Sequence, residues 1–192
     1  MSQPLAILIV DDDITNRMVL RALVKADGYQ SFEAENGQQA VDIVRSHTID
    51  LVLMDVMMPV LDGYQATEII KREIEYFIPI IFLTAITDEE LLAKCLASGG
   101  DDVLTKPYSH VLLRAKIDSM NRIRLLNRRI EQQNNELNKH NTRIQQEINV
   151  AKKVFANILN HDVRGPKSGL RYSMSPMSVF NGDVIFSEVN QS

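Results

Sequence analysis

The stretch LAILIVDDDITNRMVLRALVKADGYQSFEA, residues 5–34, decides how the first half of the chain is read. An apolar run at 5–10 meets three aspartates. A segment with apolar residues three and four apart follows (Met18, Leu20, Leu23, Val24), and then a second β-type run, YQSFEA, at 29–34. The change of period from two to 3.6 and back describes a strand, a helix and a strand. Three further β-type runs continue the pattern: DLVLMD (50–55), IPIIFLT (78–84) and DDVLTK (101–106). The first, third and fourth runs are apolar throughout, which suits strands of a parallel sheet covered on both faces. Five such units predict a doubly wound α/β sheet with its ligand site at the carboxyl ends of the strands.

Composition places the rest within bounds. The chain has 192 residues, 45 % hydrophobic and 24 % charged, with one cysteine. That length allows one domain plus a long helix or a fragment of a second domain. A single cysteine excludes a disulfide framework and a cysteine-based zinc site, and fits a reducing compartment. Cys95 itself reads as a core-facing helix residue. The apolar run 5–10 is too short to span a bilayer and lacks a basic leader, so the expectation is a cytoplasmic protein with no membrane contact. Residues 1–108 carry 18 acidic and 8 basic side chains, a net of −10, whereas residues 109–192 carry 7 acidic and 13 basic, a net of +6. Two units with different tasks are implied, and the acidic one is a poor nucleic-acid binder.

The strand ends carry the chemistry. Asp11 and Asp12 follow the first run, Asp55 ends the third, Thr84 the fourth and Lys106 the fifth. Three carboxylates at one crevice repel one another unless a cation lies between them, and an all-oxygen set suits Mg²⁺. A lysine and a hydroxyl opposite the ion suit a transferred phosphoryl group, with Asp55 as the carboxylate nucleophile. Asp13 is placed to cap the first helix. Gly63 reads as a loop glycine.

VDDDITNRMVL, LVLMDVMMPVLDGYQ, FLTA and LTKPY, in that order, resemble the receiver domain of bacterial two-component response regulators, over about residues 4–120. The resemblance implies a flavodoxin-like five-stranded parallel sheet in a domain at 1–120, phosphorylation of Asp55 by a sensor histidine kinase, and Mg²⁺ held by Asp11, Asp12, Asp55 and the Met57 carbonyl. It implies that Thr84 and Lys106 sense the phosphoryl group and that Lys106–Pro107 is a cis peptide. At the position of the family's aromatic switch residue this chain has Val103. A valine cannot swing a ring toward Thr84, so the signal is expected to leave through the helices after the fourth and fifth strands.

From Ser109 some fifty residues pass without glycine or proline, enough for a helix of roughly 75 Å. Residues 109–159 are read as that helix, continuing the last receiver helix. A seven-residue beat puts Ile123, Ile130, Leu137, Ile144, Ala151 and Ile158 at d, and Met120, Asn127, Asn134, Asn141, Ile148 and Phe155 at a. Asparagine at a weakens a coiled coil but specifies a parallel, in-register pair, so a parallel homodimer is expected. The cluster Arg122, Arg124, Arg128 and Arg129 reads as flanking positions of the coil or as a face toward the acidic receiver. No helix-turn-helix pattern supports nucleic-acid binding.

Past Leu159 the pattern breaks, with Gly165, Pro166 and Gly169 marking a linker. Residues 160–192 then offer two β-type runs around Asn181–Gly182, too little for a stable domain and so the expected start of a larger one. GLRYSMSPMSVFNGDVIFSE, after AKKVFANIL, resembles the opening of a PPM-type (SpoIIE-like) metal-dependent serine/threonine phosphatase domain. The resemblance implies Asp183 as a Mn²⁺ or Mg²⁺ ligand and, as substrate, a phosphoserine on an anti-sigma-factor antagonist. The remaining acidic ligands do not occur in this chain, and one carboxylate does not make a two-metal site. FANILNHDVRGP also resembles the phosphoacceptor box of sensor kinases, which would make His161 a phosphorelay residue. A third possibility is a dimerisation adaptor without enzymatic output.

Overall fold

The computed structural model describes residues 4–85, 89–107 and 109–162. Five strands, β1 (Ala6–Val10), β2 (Gln30–Ala34), β3 (Leu51–Asp55), β4 (Ile80–Thr84) and β5 (Asp102–Thr105), alternate with α1 (Ile14–Ala26), α2 (Gly37–Ser46), α3 (Gly63–Glu73), α4 (Glu89–Ala97) and α5 (His110–Asp162). All neighbouring strands pair in parallel, in the order β2-β1-β3-β4-β5. This is the flavodoxin-like order, with its switch point between β1 and β3.

The sheet divides the core in two. Leu8, Val10, Val52, Met54, Ile80 and Phe82 face α2, α3 and α4, where Val41, Val44, Tyr64, Ile70 and Cys95 meet them. Ile7, Ile9, Leu51, Leu53, Ile81 and Leu83 face α1 and α5, against Leu20, Val24, Leu113, Ile117 and Met120. Burial on both faces is why β1, β3 and β4 read as unbroken apolar runs. Met18 is an exception to the helical pattern read for α1. It stands 52 % exposed, while Leu20 and Val24 are buried.

Local chemistry sets the helix starts. Asp13 Oδ1 accepts from the Thr15 amide, Asn36 Oδ1 from the Gln39 amide and Asp62 Oδ1 from the Gln65 amide, each satisfying an amide that the first helical turn leaves unpaired. Gly63 differs from the sequence expectation. It is the first residue of α3, and a Cβ there would lie 2.1 Å from the Asp55 carbonyl oxygen, so close approach to β3 demands glycine.

The chain divides into two compact units, Met1–Asn141 and Thr142–Ser192. The first holds the sheet, α1 to α4 and α5 up to Asn141. The described part of the second is the remainder of α5. The helix runs to Asp162, three residues beyond the expected end, because nothing before Gly165–Pro166 interrupts it. His161 therefore lies in the helix and not in a linker. Asp183 lies outside the described residues. Among the described residues no helix is long and apolar enough to cross a membrane.

The first unit also revises the expected face of the long helix. Met120, assigned to an a position, is packed into the α1/α5 core. Asn127, the next a residue, donates Nδ2 to the Ile123 carbonyl at 3.1 Å and lines a cleft of about 280 Å³ against residues 70–78. Both positions face their own domain. The d residues Ile123, Ile130 and Leu137 are 36 %, 54 % and 60 % exposed. Asn134 and Asn141 are exposed too. In the second unit, Ile144 is 40 % exposed and Ile148 half-buried.

Candidate functional site

The strands deliver their terminal residues to one crevice. Asp11 follows β1 and is fully buried, Asp12 beside it is exposed, and Asp55 closes β3. One carboxylate oxygen from each comes within 4.8 Å of the other two. Lys106, one residue past β5, spans the gap: its Nζ donates to Asp11 Oδ2 at 2.8 Å and to Asp55 Oδ2 at 2.7 Å. The Lys106 main chain is fixed as well, its amide donating to the Thr84 carbonyl at 2.7 Å. The Lys106–Pro107 peptide is cis.

The second oxygen of each inner carboxylate is also engaged. Asp11 Oδ1 accepts from the Asp13 amide at 3.0 Å and from Asn16 Nδ2 at 3.1 Å. Asp55 Oδ1 accepts from the amides of Val56 at 2.6 Å and Met57 at 3.4 Å. Burial pushes the Asp55 carboxyl above its ordinary value. Lys106 opposes that shift and the Asp11 charge adds to it. Burial acts on Lys106 in the opposite direction, but its bonds to Asp11 and Asp55 outweigh this and raise its ammonium above the usual lysine range. Two buried or half-buried carboxylates on a single ammonium leave negative charge in excess, and Asp12 adds to it. An all-oxygen set with that excess fits a hard divalent cation such as Mg²⁺.

Thr84 is buried at the end of β4, across the sheet from Thr105. Val103 lies on β5 opposite Phe82, partly buried against the α2–α4 core. The Met57 side chain is 68 % exposed, two residues past Asp55. Every residue expected at the crevice from the first half of the chain thus sits at a strand end or just beyond one, apart from Val103 within β5.

Arg17 was missed by sequence reasoning. It sits on α1 with 6 % exposure and donates to the carbonyls of Asp11 and Asp12. Its helical spacing with Leu20 and Val24, both buried, is the signal that could have found it.

The family model of the response regulator receiver domain matches residues 7–118. The chain is 40 % identical over 130 residues to a "Probable transcriptional regulator ycf27" of Cyanidium caldarium, covering 67 % of this chain and 51 % of that one. It is 39 % identical over 102 residues to the chemotaxis protein CheY of Halobacterium salinarum, covering 53 % of this chain and 84 % of that one. A crystal structure of the receiver domain of a sensor histidine kinase from Pseudomonas aeruginosa PAO1, with a magnesium ion coordinated in the active-site cleft, superposes with a TM-score of 0.58. It is 34 % identical and covers 62 % of this chain and 98 % of that one. The chain spans about half the length of the first of these relatives.

Proposed function

Because the chain belongs to the response regulator receiver domain family over residues 7–118, we propose that Asp55 accepts a phosphoryl group from a sensor histidine kinase or phosphotransfer protein. The observation that carries this is the double bridge from Lys106 Nζ to Asp11 and Asp55. It holds the Asp55 carboxylate in place and sets a cation where phosphoryl oxygens would arrive. An Asp55 oxygen attacks phosphorus, the P–N bond to the donor imidazole breaks with its electron pair staying on nitrogen, and an acyl phosphate remains. Lys106 moves from sharing two carboxylates to pairing with the phosphoryl charge, and Thr84 donates a hydrogen bond to it. Asp11, Asp12, Asp55 and the Met57 carbonyl would hold Mg²⁺, which when bound supplies charge neutralisation for the phosphoryl oxygens.

Intact mass after treatment with phosphoramidate and Mg²⁺ tests the reaction. The wild type gains one phosphoryl group and Asp55→Asn gains none. The same gain in both, or none in the wild type, removes Asp55 as acceptor.

Beyond the receiver, the proposal is a cytoplasmic parallel homodimer paired through α5, with Ile130, Leu137 and Ile144 at d and Asn134, Asn141 and Ile148 at a. Support comes from the seven-residue beat and from the exposure of these d residues. Because Met120 and Asn127 face their own domain, the pairing begins beyond about residue 130. The output proposed is a metal-dependent serine/threonine phosphatase domain that begins in residues 160–192, uses Asp183 for Mn²⁺ or Mg²⁺, and acts on an anti-sigma-factor antagonist phosphoprotein. It rests on the residues quoted from that segment. A second reading draws on one structural observation: α5 reaches Asp162, so His161 stands on a helix, as a phosphoacceptor histidine requires. Acid-labile phosphate on His161 distinguishes that reading. Signalling retained after removal of residues 163–192 would instead favour the adaptor without output.

A further inference from the structure

Arg17 lies on α1, six residues past Asp11, with its side chain 8 % exposed. A guanidinium held that far from water needs partners along its edges. Its Nη1 donates to two consecutive main-chain carbonyls, Asp11 O at 2.8 Å and Asp12 O at 3.1 Å. The other edge turns to β2 and the residue after it, with Nη2 3.4 Å from Glu35 Oε1 and Nε 4.0 Å from Glu33 Oε2.

We propose that Arg17 is a positioning residue for the acidic cluster: by gathering the Asp11 and Asp12 carbonyls on one guanidinium, it sets the directions of both carboxylates and thereby the affinity of the site for Mg²⁺. The inference rests on reading that cluster as a Mg²⁺ site. Each carbonyl bond fixes one peptide plane. The two planes flank Asp12 and so set its Cα–Cβ direction. Asp11 lies between the first of them and the end of β1, where its amide donates to the Ala34 carbonyl at 3.3 Å, and its direction follows from the two together. Asp11 turns inward to Lys106, and Asp12 stays at the exposed rim. A cation that draws oxygens from both gains most if both are already ordered, since ordering them on arrival would be subtracted from the binding free energy.

Charge is not the main contribution of Arg17, because Glu33 and Glu35 oppose it directly. Geometry is. A lysine would carry the same charge on a compact ammonium without the planar fork, and could not span the two carbonyls and the glutamates together. Arg17→Lys therefore separates geometry from charge.

The test uses the full chain. Thermal unfolding is followed across a Mg²⁺ titration, where a ligand of the native state raises the melting temperature according to its affinity. Phosphoramidate-driven phosphorylation is read in parallel by intact mass. In Arg17→Lys the Mg²⁺ response moves to roughly 10- to 100-fold higher concentration, the range found when groups that orient metal ligands are removed. At saturating Mg²⁺ the mass gain matches the wild type. An unchanged Mg²⁺ response with only a lower melting temperature in metal-free buffer overturns the proposal, because Arg17 would then serve the fold alone. Should Arg17→Lys fail to fold, Glu35→Gln loosens the same guanidinium from the opposite side. A weaker Mg²⁺ response there supports the proposal and an identical one overturns it. A wild type with no Mg²⁺ response removes the reading of the cluster, and Arg17's role with it, before any variant is compared.

Discussion

Arg124, on α5, forms an ion pair with Asp50, the residue immediately before β3, whose far end carries Asp55. Both partners are removed from water, with side chains 7 % and 16 % exposed. The same carboxylate accepts from Arg128 Nη2 at 3.2 Å and, through its other oxygen, from the Ala6 amide at the start of β1. Burial pulls the Arg124 guanidinium below its ordinary value even with Asp50 beside it. One carboxylate thus ties the foot of two central strands to the helix that leaves the domain.

Removing one partner of a buried ion pair leaves the other charge without compensation, at a cost of about 3–5 kcal/mol. Asp50→Ala should therefore lower the unfolding free energy of the receiver, read from urea melts, by several kcal/mol. Arg128→Ala should have a much smaller effect, since that side chain is 41 % exposed. Equal effects of the two substitutions would show that the clamp is not centred on Arg124.

The Asp55 carboxyl has a native pKa above its ordinary 3.8, so the folded state binds this proton more tightly than the unfolded state does. The stability that protonated Asp55 contributes is present below pH 3.8 and is lost as pH rises through the native value. At neutral pH and without Mg²⁺, the ionised side chain costs stability. Asp55→Asn should then melt higher than the wild type at pH 7, and the advantage should shrink as pH falls toward 3.8. Paired thermal melts across that range check this. A variant less stable than the wild type at pH 7 would mean that the Lys106 bridge outweighs burial and the Asp11 repulsion.

Val60, in the loop between β3 and α3, has φ of 71° and is 84 % exposed. The left-handed region costs an L-residue about 1–2 kcal/mol, and a branched Cβ makes it worse. Glycine removes that cost but gives back about 0.5–1 kcal/mol through its greater freedom in the unfolded chain. Val60→Gly should therefore stabilise the chain by about 0.5–1 kcal/mol. Gly63→Ala, three residues on, should destabilise it at the upper end of the about 1–3 kcal/mol typical of overpacking, since the added methyl meets the Asp55 carbonyl. It should also slow phosphorylation by displacing the end of β3. Denaturant melts and the intact-mass assay read both effects.

The central strands show where sequence reading succeeds, and Gly63 and Arg17 where it stops. β1, β3 and β4 were legible because both their faces are buried, which leaves unbroken apolar runs, and the crevice followed because Asp11, Asp55, Thr84 and Lys106 stand beside those runs. Gly63 looked like any loop glycine, since its requirement comes from a strand eight residues back in the chain and pressed against it in space. Arg17 shares the helical spacing of the buried Leu20 and Val24, which marks its burial, but its bonds to the Asp11 and Asp12 carbonyls are set by the fold and by no side-chain pattern. The seven-residue beat of α5 was legible, but a period alone does not say what covers the apolar face. At Met120 the cover is the chain's own domain.

Beyond that docked portion, Ile130 and Leu137 carry most of their surface in water, an arrangement that a second copy would relieve. If the pair forms there, Leu137→Asp places two carboxylates in one apolar layer and should convert a dimer into a monomer in sedimentation at micromolar concentrations. Asn134 and Asn141 should act in the opposite sense. Each weakens the seam while selecting two parallel strands, so replacing both with isoleucine should tighten association and admit higher oligomers. Ile123→Asp tests the boundary: next to the docked segment and only 36 % exposed, it should lower receiver stability more than it lowers association. A wild type that sediments as a monomer, or dimers indifferent to Leu137→Asp, would assign the exposed stripe to a partner other than this chain.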